Sequence, residues 1–134
     1  MFESQTSTKS KSGRVLVVDD EPLMRTLFRR SLQSAGFDVV VAEDGPDGLE
    51  KLRHDPAIRV VLLDLNMPIM DGREFREEQR NDPQLKDVPT VIVTGEPLAR
   101  LLESELHAAE YLLKPIGRDH LISVVSDYCE PMNW

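Results

Sequence analysis

Residues 15–21 read Val15-Leu16-Val17-Val18-Asp19-Asp20-Glu21: four apolar side chains in a row, then three acids. A strand with one wet face alternates apolar and polar residues, whereas an unbroken apolar run marks a strand covered on both faces. The same pattern returns at Val60–Leu65, which carries Asp64, and at Thr90–Thr94. After Val18, the spacing of Leu23, Met24, Leu27, Phe28, Leu32 and Ala35 is helical, with Pro22 suited to the first turn and Gly36 to the C-terminal cap. Phe37–Ala42 predicts the second strand, and Pro46–Arg53 a short helix with Leu49 and Leu52 inward. Gly48 should weaken that helix by about 1 kcal/mol relative to alanine. Gly72–Arg80 predicts a weakly amphipathic helix whose only large hydrophobe is Phe75. Leu98–Ala109 predicts a helix, Tyr111–Leu113 a short strand, and His120–Tyr128 a last helix with one broad apolar face. Five β-α repeats in this order imply an α/β fold with a parallel sheet and helices on both of its faces. Ligands of such sheets sit beyond the carboxyl ends of the strands, so function is to be sought there.

The totals agree with one ordinary domain. The chain has 134 residues, 40% hydrophobic and 30% charged. Residues 1–12, rich in Ser, Thr and Lys, read as an N-terminal tail. The folded unit is expected over 13–130, with 131–134 a short C-terminal tail. The formal net charge of −8 argues against direct nucleic-acid binding. The apolar runs are far shorter than the roughly 20 residues that span a bilayer, so no membrane partner is expected. A single cysteine, Cys129, suits a reducing, cytoplasmic setting. His54, His107 and His120 are scattered, without metal-ligand spacing.

The strand ends carry the chemistry. Asp19-Asp20-Glu21 follows the first strand, Asp64 closes the third, Thr94 closes the fourth, and Lys114-Pro115 follows the fifth. Taken singly, these are ordinary capping and turn residues. Together they place three aspartates on one rim, where mutual repulsion favours a hard cation such as Mg²⁺. Asp20 and Asp64 suit direct ligation, and Asp19 suits contact through water. Lys114 offers a compact positive charge and Thr94 a hydroxyl for phosphoryl oxygens. A carboxylate in such a setting can act as a nucleophile and form an aspartyl phosphate, a reaction that rests mainly on positioning and charge neutralisation.

In these motifs the sequence resembles the response-regulator receiver family of two-component signalling. The resemblance covers about Gly13 to Glu130. It rests on Val15–Glu21, on Leu63-Asp64-Leu65-Asn66-Met67-Pro68 with Met70-Asp71-Gly72, on Ile92-Val93-Thr94-Gly95, and on Tyr111-Leu112-Leu113-Lys114-Pro115. It implies a flavodoxin-like (βα)5 three-layer sandwich with strand order 2-1-3-4-5. It implies that Asp64 accepts a phosphoryl group from a histidine kinase or histidine phosphotransfer protein. Mg²⁺ would be held by Asp19, Asp20, Asp64 and the backbone carbonyl of Asn66. Lys114 would contact the phosphoryl group, and the peptide before Pro115 would be cis. Thr94 and Tyr111 resemble the family's switch pair, which alters a protein-binding surface on the fourth helix, fifth strand and fifth helix. Asn66 and Glu96 occupy the positions that tune phosphoryl lifetime and resemble those of the single-domain chemotaxis regulators, where hydrolysis is rapid. A monomer or weak dimer is expected.

Departures from the pattern lie off the acidic rim. Seventeen positions separate Thr94 from Tyr111, a shortened stretch, and His107-Ala108-Ala109 stands where the family has Ala-Gly-Ala. Arg76 and Gln79 take places often apolar in the family, which predicts a half-buried, hydrogen-bonded Gln79, a displaced and solvated helix, or a helix covered by a partner. No DNA-binding or enzymatic module follows residue 130, so the reading is a regulator that acts alone or a receiver cut from a longer chain. The alternatives are a Mg²⁺-dependent aspartyl-phosphate phosphatase and a degenerate receiver serving only as an interaction module. The first commonly has a second acid where Asn66 stands; the second is opposed by the presence of every key side chain. A flavodoxin is disfavoured because Asp19-Asp20-Glu21 would repel a flavin phosphate.

Overall fold

A computed structural model describes residues 12–97 and 106–131. Its strands are β1 (Arg14–Val18), β2 (Asp38–Ala42), β3 (Ile58–Asp64), β4 (Thr90–Thr94) and β5 (Glu110–Leu113). Its helices, among the described residues, are α1 (Pro22–Ser34), α2 (Gly45–His54), α3 (Gly72–Arg80) and α4 (Arg118–Ser126). The five strands are all parallel, in the order β2-β1-β3-β4-β5. The flavodoxin-like architecture implied by the sequence is therefore the one observed.

The unbroken apolar runs explain the layers. Successive strand residues point to opposite faces. Leu16, Val18, Val61, Leu63 and Ile92 thus meet Leu49 and Leu52 of α2 and Phe75 of α3 on one side. Val15, Val17, Val60, Leu62, Val91 and Val93 meet Phe28 and Leu32 of α1 and Leu121, Val124 and Val125 of α4 on the other. No described helix is long and apolar enough to cross a membrane.

Helix ends follow local chemistry. At the end of α1, Gly36 takes φ 96 and its amide bonds Gln33 O at 2.9 Å, while the Phe37 amide bonds Leu32 O at 3.0 Å. This is a Schellman ending, and it needs a residue that tolerates a left-handed conformation. Asp71 begins α3 with a reciprocal capping box. Its carboxylate accepts from the Glu74 amide at 3.0 Å, and Glu74 Oε1 accepts from the Asp71 amide at 3.1 Å.

Three expectations are corrected. Part of the helix expected over Leu98–Ala109, residues 98–105, lies outside the described residues. His107 adopts φ 50 and the Ala109 amide bonds Thr90 O at 2.8 Å, so 107–109 form a turn leading into β5 instead of a helical end. Helix α3 is neither displaced nor solvated: Phe75 and Gln79 are fully buried and Arg76 is 6% exposed. Gly48 is not a simple weakness, because a Cβ there would meet Val18 Cγ2 at 2.9 Å and Phe75 Cε2 at 3.1 Å. Both neighbours are buried and cannot move aside cheaply. Gly48→Ala will therefore destabilise the fold by about 1 kcal/mol net, overpacking outweighing the gain in helix propensity. Urea denaturation checks this; a raised midpoint would mean that α2 can shift outward.

Candidate acidic site at the strand ends

Asp19 and Asp64 are placed by buried strands. Each lies at or just beyond a strand carboxyl end, and their exposures are 1% and 6%. The half-buried Asp20 joins them, and carboxylate oxygens of the three residues lie within 4.8 Å of one another. Asp19 Oδ1 accepts from the Glu21 amide at 2.9 Å. Asp19 Oδ2 is buried with no hydrogen-bond partner. Lys114 Nζ reaches in from the end of β5, 3.7 Å from Asp19 Oδ2 and 3.4 Å from Asp64 Oδ1. One ammonium thus faces several carboxylates.

The remaining residues singled out in the sequence surround this group. The backbone amide of Asn66 faces the Asp64 carboxylate and favours its ionised form. Thr94 closes β4 and is 2% exposed; its hydroxyl oxygen accepts from the Glu96 amide at 3.0 Å. The Lys114 amide donates to Thr94 O at 2.7 Å, tying the lysine to the end of β4. Tyr111 pairs with Ile92 across the β4–β5 ladder and is half-buried, and its hydroxyl oxygen accepts from the Ala108 amide at 3.3 Å. The Lys114–Pro115 peptide is cis. Glu96 is exposed beyond β4.

Sequence reasoning missed Arg25. Its Nη1 donates to Asp19 O at 2.7 Å and holds the backbone at the acidic turn. The signal was present, since a helical side chain leans toward its own N-terminus, and the N-terminus of α1 follows the acids directly.

Burial dominates the electrostatics. It pushes the Asp64 carboxyl up to about 6, helped by Asp19 and opposed by Lys114 and the Asn66 amide. Burial raises Asp19 too, against the Glu21 amide and Lys114. A raised carboxyl in the folded chain holds its proton where the unfolded chain, with an aspartate value of about 3.9, has lost it. The folded state then binds more protons, and its stability falls as pH rises through this window. Melting temperatures in EDTA will therefore decline from pH 4 towards 6 (about 4 to about 6 on the values just given) by more in the parent chain than in Asp64→Asn. Identical profiles would show that Asp64 does not titrate there.

The acidic group fits a hard divalent cation. Carboxylate oxygens are the donors such an ion takes, and the orphaned Asp19 Oδ2 is an acceptor in need of a partner.

Comparison with known proteins points the same way. The chain is 34% identical over 132 residues to the sensor histidine kinase CheAY of Helicobacter pylori, a match covering 93% of this chain and 16% of that protein. It spans about half, or less, of the length of the other first-ranked curated relatives. In three dimensions it resembles the chemotaxis response regulator CheY4 of Vibrio cholerae, with a TM-score of 0.80, 31% identity, and 87% of this chain and 98% of that one covered. It also resembles the response regulator TrrA of Thermotoga maritima, solved in complex with Mg²⁺-BeF, with a TM-score of 0.77, 34% identity, and coverage of 86% and 97%. A family model described as the response regulator receiver domain matches residues 15–126, from the second residue of β1 to the end of α4. By sequence, by fold and by the place of its acids in that fold, the chain belongs to the response regulator receiver domain family.

Proposed function

We propose that this receiver accepts a phosphoryl group on Asp64 from a histidine kinase or histidine phosphotransfer protein. The observation that carries the reading is the juxtaposition of a buried Asp64 oxygen, 3.4 Å from Lys114 Nζ, with two further aspartates and an orphaned carboxylate oxygen. Asp19, Asp20, Asp64 and the Asn66 carbonyl would hold Mg²⁺, as the Mg²⁺-BeF complex of the similar regulator TrrA suggests. The ion, when bound, supplies positive charge against the phosphoryl oxygens and the crowded carboxylates.

The ionised Asp64 oxygen attacks phosphorus, the P–N bond to the donor imidazole breaks, and the electron pair of that bond leaves with the imidazole. Lys114 balances charge on a phosphoryl oxygen and keeps Asp64 ionised. Thr94 must release the Glu96 amide if its hydroxyl is to turn to the new group. Tyr111 then turns inward, and the surface around β5 and α4 changes for a protein target. Asn66 and Glu96, both exposed, stand at the positions that tune phosphoryl lifetime in this family and would favour a short-lived phosphoryl group. This is signalling by modification, with no turnover of a substrate.

Intact mass after incubation with Mg²⁺ and acetyl phosphate tests the reading. One added phosphoryl group, absent when EDTA replaces Mg²⁺, is the expected result. No gain from acetyl phosphate or from a phosphorylated histidine phosphotransfer protein would reject it.

A further inference from the structure

Helix α3 carries a feature that phosphoryl chemistry does not use. The Arg76 guanidinium is buried, and no described carboxylate pairs with it. Its Nε donates to Leu106 O at 2.9 Å, Nη1 to Gln79 Oε1 at 2.7 Å, and Nη2 to His107 O at 2.6 Å. Every partner is neutral. Burial holds this guanidinium below its ordinary value, and the neighbouring Arg80 charge acts in the same direction, while Tyr111 opposes it. Arg76 therefore lies within electrostatic reach of both Arg80 and Tyr111.

Two side chains hold the turn before β5. Arg76 holds the carbonyls of Leu106 and His107, and the Tyr111 hydroxyl accepts from the Ala108 amide. Within that turn, His107 sits at φ 50, a left-handed conformation that costs a residue with a Cβ and persists only while its surroundings enforce it. Arg76 also lines a cleft of about 470 Å³, together with Arg73, Glu77, Arg80, Asn81 and Leu106. Among the described residues, three arginines against one glutamate line it, in a chain of net charge −8.

We propose that this cleft beside α3 is a docking surface for an acidic segment of a partner protein, opened by the turn at His107. The inference rests on the phosphoacceptor reading. Inward rotation of Tyr111 takes its hydroxyl from the Ala108 amide. His107 then relaxes from its left-handed conformation, and its carbonyl swings off Arg76 Nη2. The freed Nη2 turns its charge into the cleft, so affinity for carboxylates rises with phosphorylation.

The test uses the full chain, ¹⁵N-labelled, with and without Mg²⁺ and beryllofluoride, titrated with fluorescein-tagged hexaglutamate. Binding should tighten by about fivefold or more on adding beryllofluoride, with amide shifts concentrated at 73–81 and 106–108. The exposed pair Arg73→Glu and Arg80→Glu should lose the binding while keeping the parent's melting temperature. Tyr111→Phe, lacking the clamping hydroxyl, should bind in the resting state nearly as well as the activated parent. Equal affinity in both states, or binding that survives the arginine pair, overturns the proposal. So does an absence of binding. The two readings fail differently: amides of Asp64 and Thr94 that ignore beryllofluoride reject the phosphoacceptor and this inference together. Shifts there without any at α3 reject this inference alone.

Discussion

Asp64→Asn will accept no phosphoryl group, and without metal it will be more stable than the parent chain. The two effects share one cause. An amide has no anionic oxygen to attack phosphorus, so incorporation in the mass assay falls to background. The same change removes a carboxylate that folding drives out of water and against Asp19. Raised from an unfolded value of about 3.9 to about 6, the ionised Asp64 opposes folding at neutral pH by about 1–3 kcal/mol. Relieving it should raise the melting temperature in EDTA by about 4 °C per kcal/mol in a domain of this size. Mg²⁺ should narrow the difference by stabilising the parent more than the variant. Labelling of the variant at the parent's rate would move the acceptor to another residue. A less stable variant in EDTA would mean that the Asn66 and Lys114 contacts outweigh the burial of the charge.

Arg76→Met will have the second large effect, a loss of about 2–4 kcal/mol. Methionine matches the stem of arginine but offers no donors. The carbonyls of Leu106 and His107 and the Oε1 of Gln79 would each lose a hydrogen bond inside the protein. Gln79 is already committed elsewhere, its Nε2 donating to Leu85 O at 3.1 Å and Val88 O at 3.0 Å, and its Oε1 also accepting from the Thr90 hydroxyl at 2.9 Å. The network joins α3 to the segment before β4 and to the turn before β5, so the damage spreads to both. Removing a buried cation with no carboxylate partner returns some desolvation energy, which keeps the estimate below the sum of the lost bonds. Urea denaturation should show a lower midpoint at unchanged slope. An unchanged midpoint would mean that water replaces the guanidinium.

The contrast between these two residues shows what the sequence could convey. The order of strands and helices was legible because strands buried on both faces leave unbroken apolar runs, and Val15–Val18 and Val60–Leu63 could hardly be anything else. Asp19, Asp64, Thr94 and Lys114 were legible as a group because each stands where its strand stops, and a parallel sheet brings all those stops to one rim. Arg76 was noticed only as a misfit. Its role depends on carbonyls of Leu106 and His107, thirty residues away, and backbone carbonyls have no residue signature. Gly48 was misread for a similar reason. Propensity describes an isolated helix, while the fate of a Cβ depends on Val18 and Phe75, which reach it only in three dimensions.

Ser12 and Glu130 form a parallel bridge, and Arg59 Nε grips the Ser12 carbonyl at 2.8 Å. The described chain therefore enters and leaves through a single doorway, at the amino ends of the strands and a full sheet-length from the acids. Such a domain can be spliced into the surface loop of a host protein with little distortion of either, since host and guest need share only two neighbouring attachment points. Cargo hung on either end would leave the acidic rim uncovered.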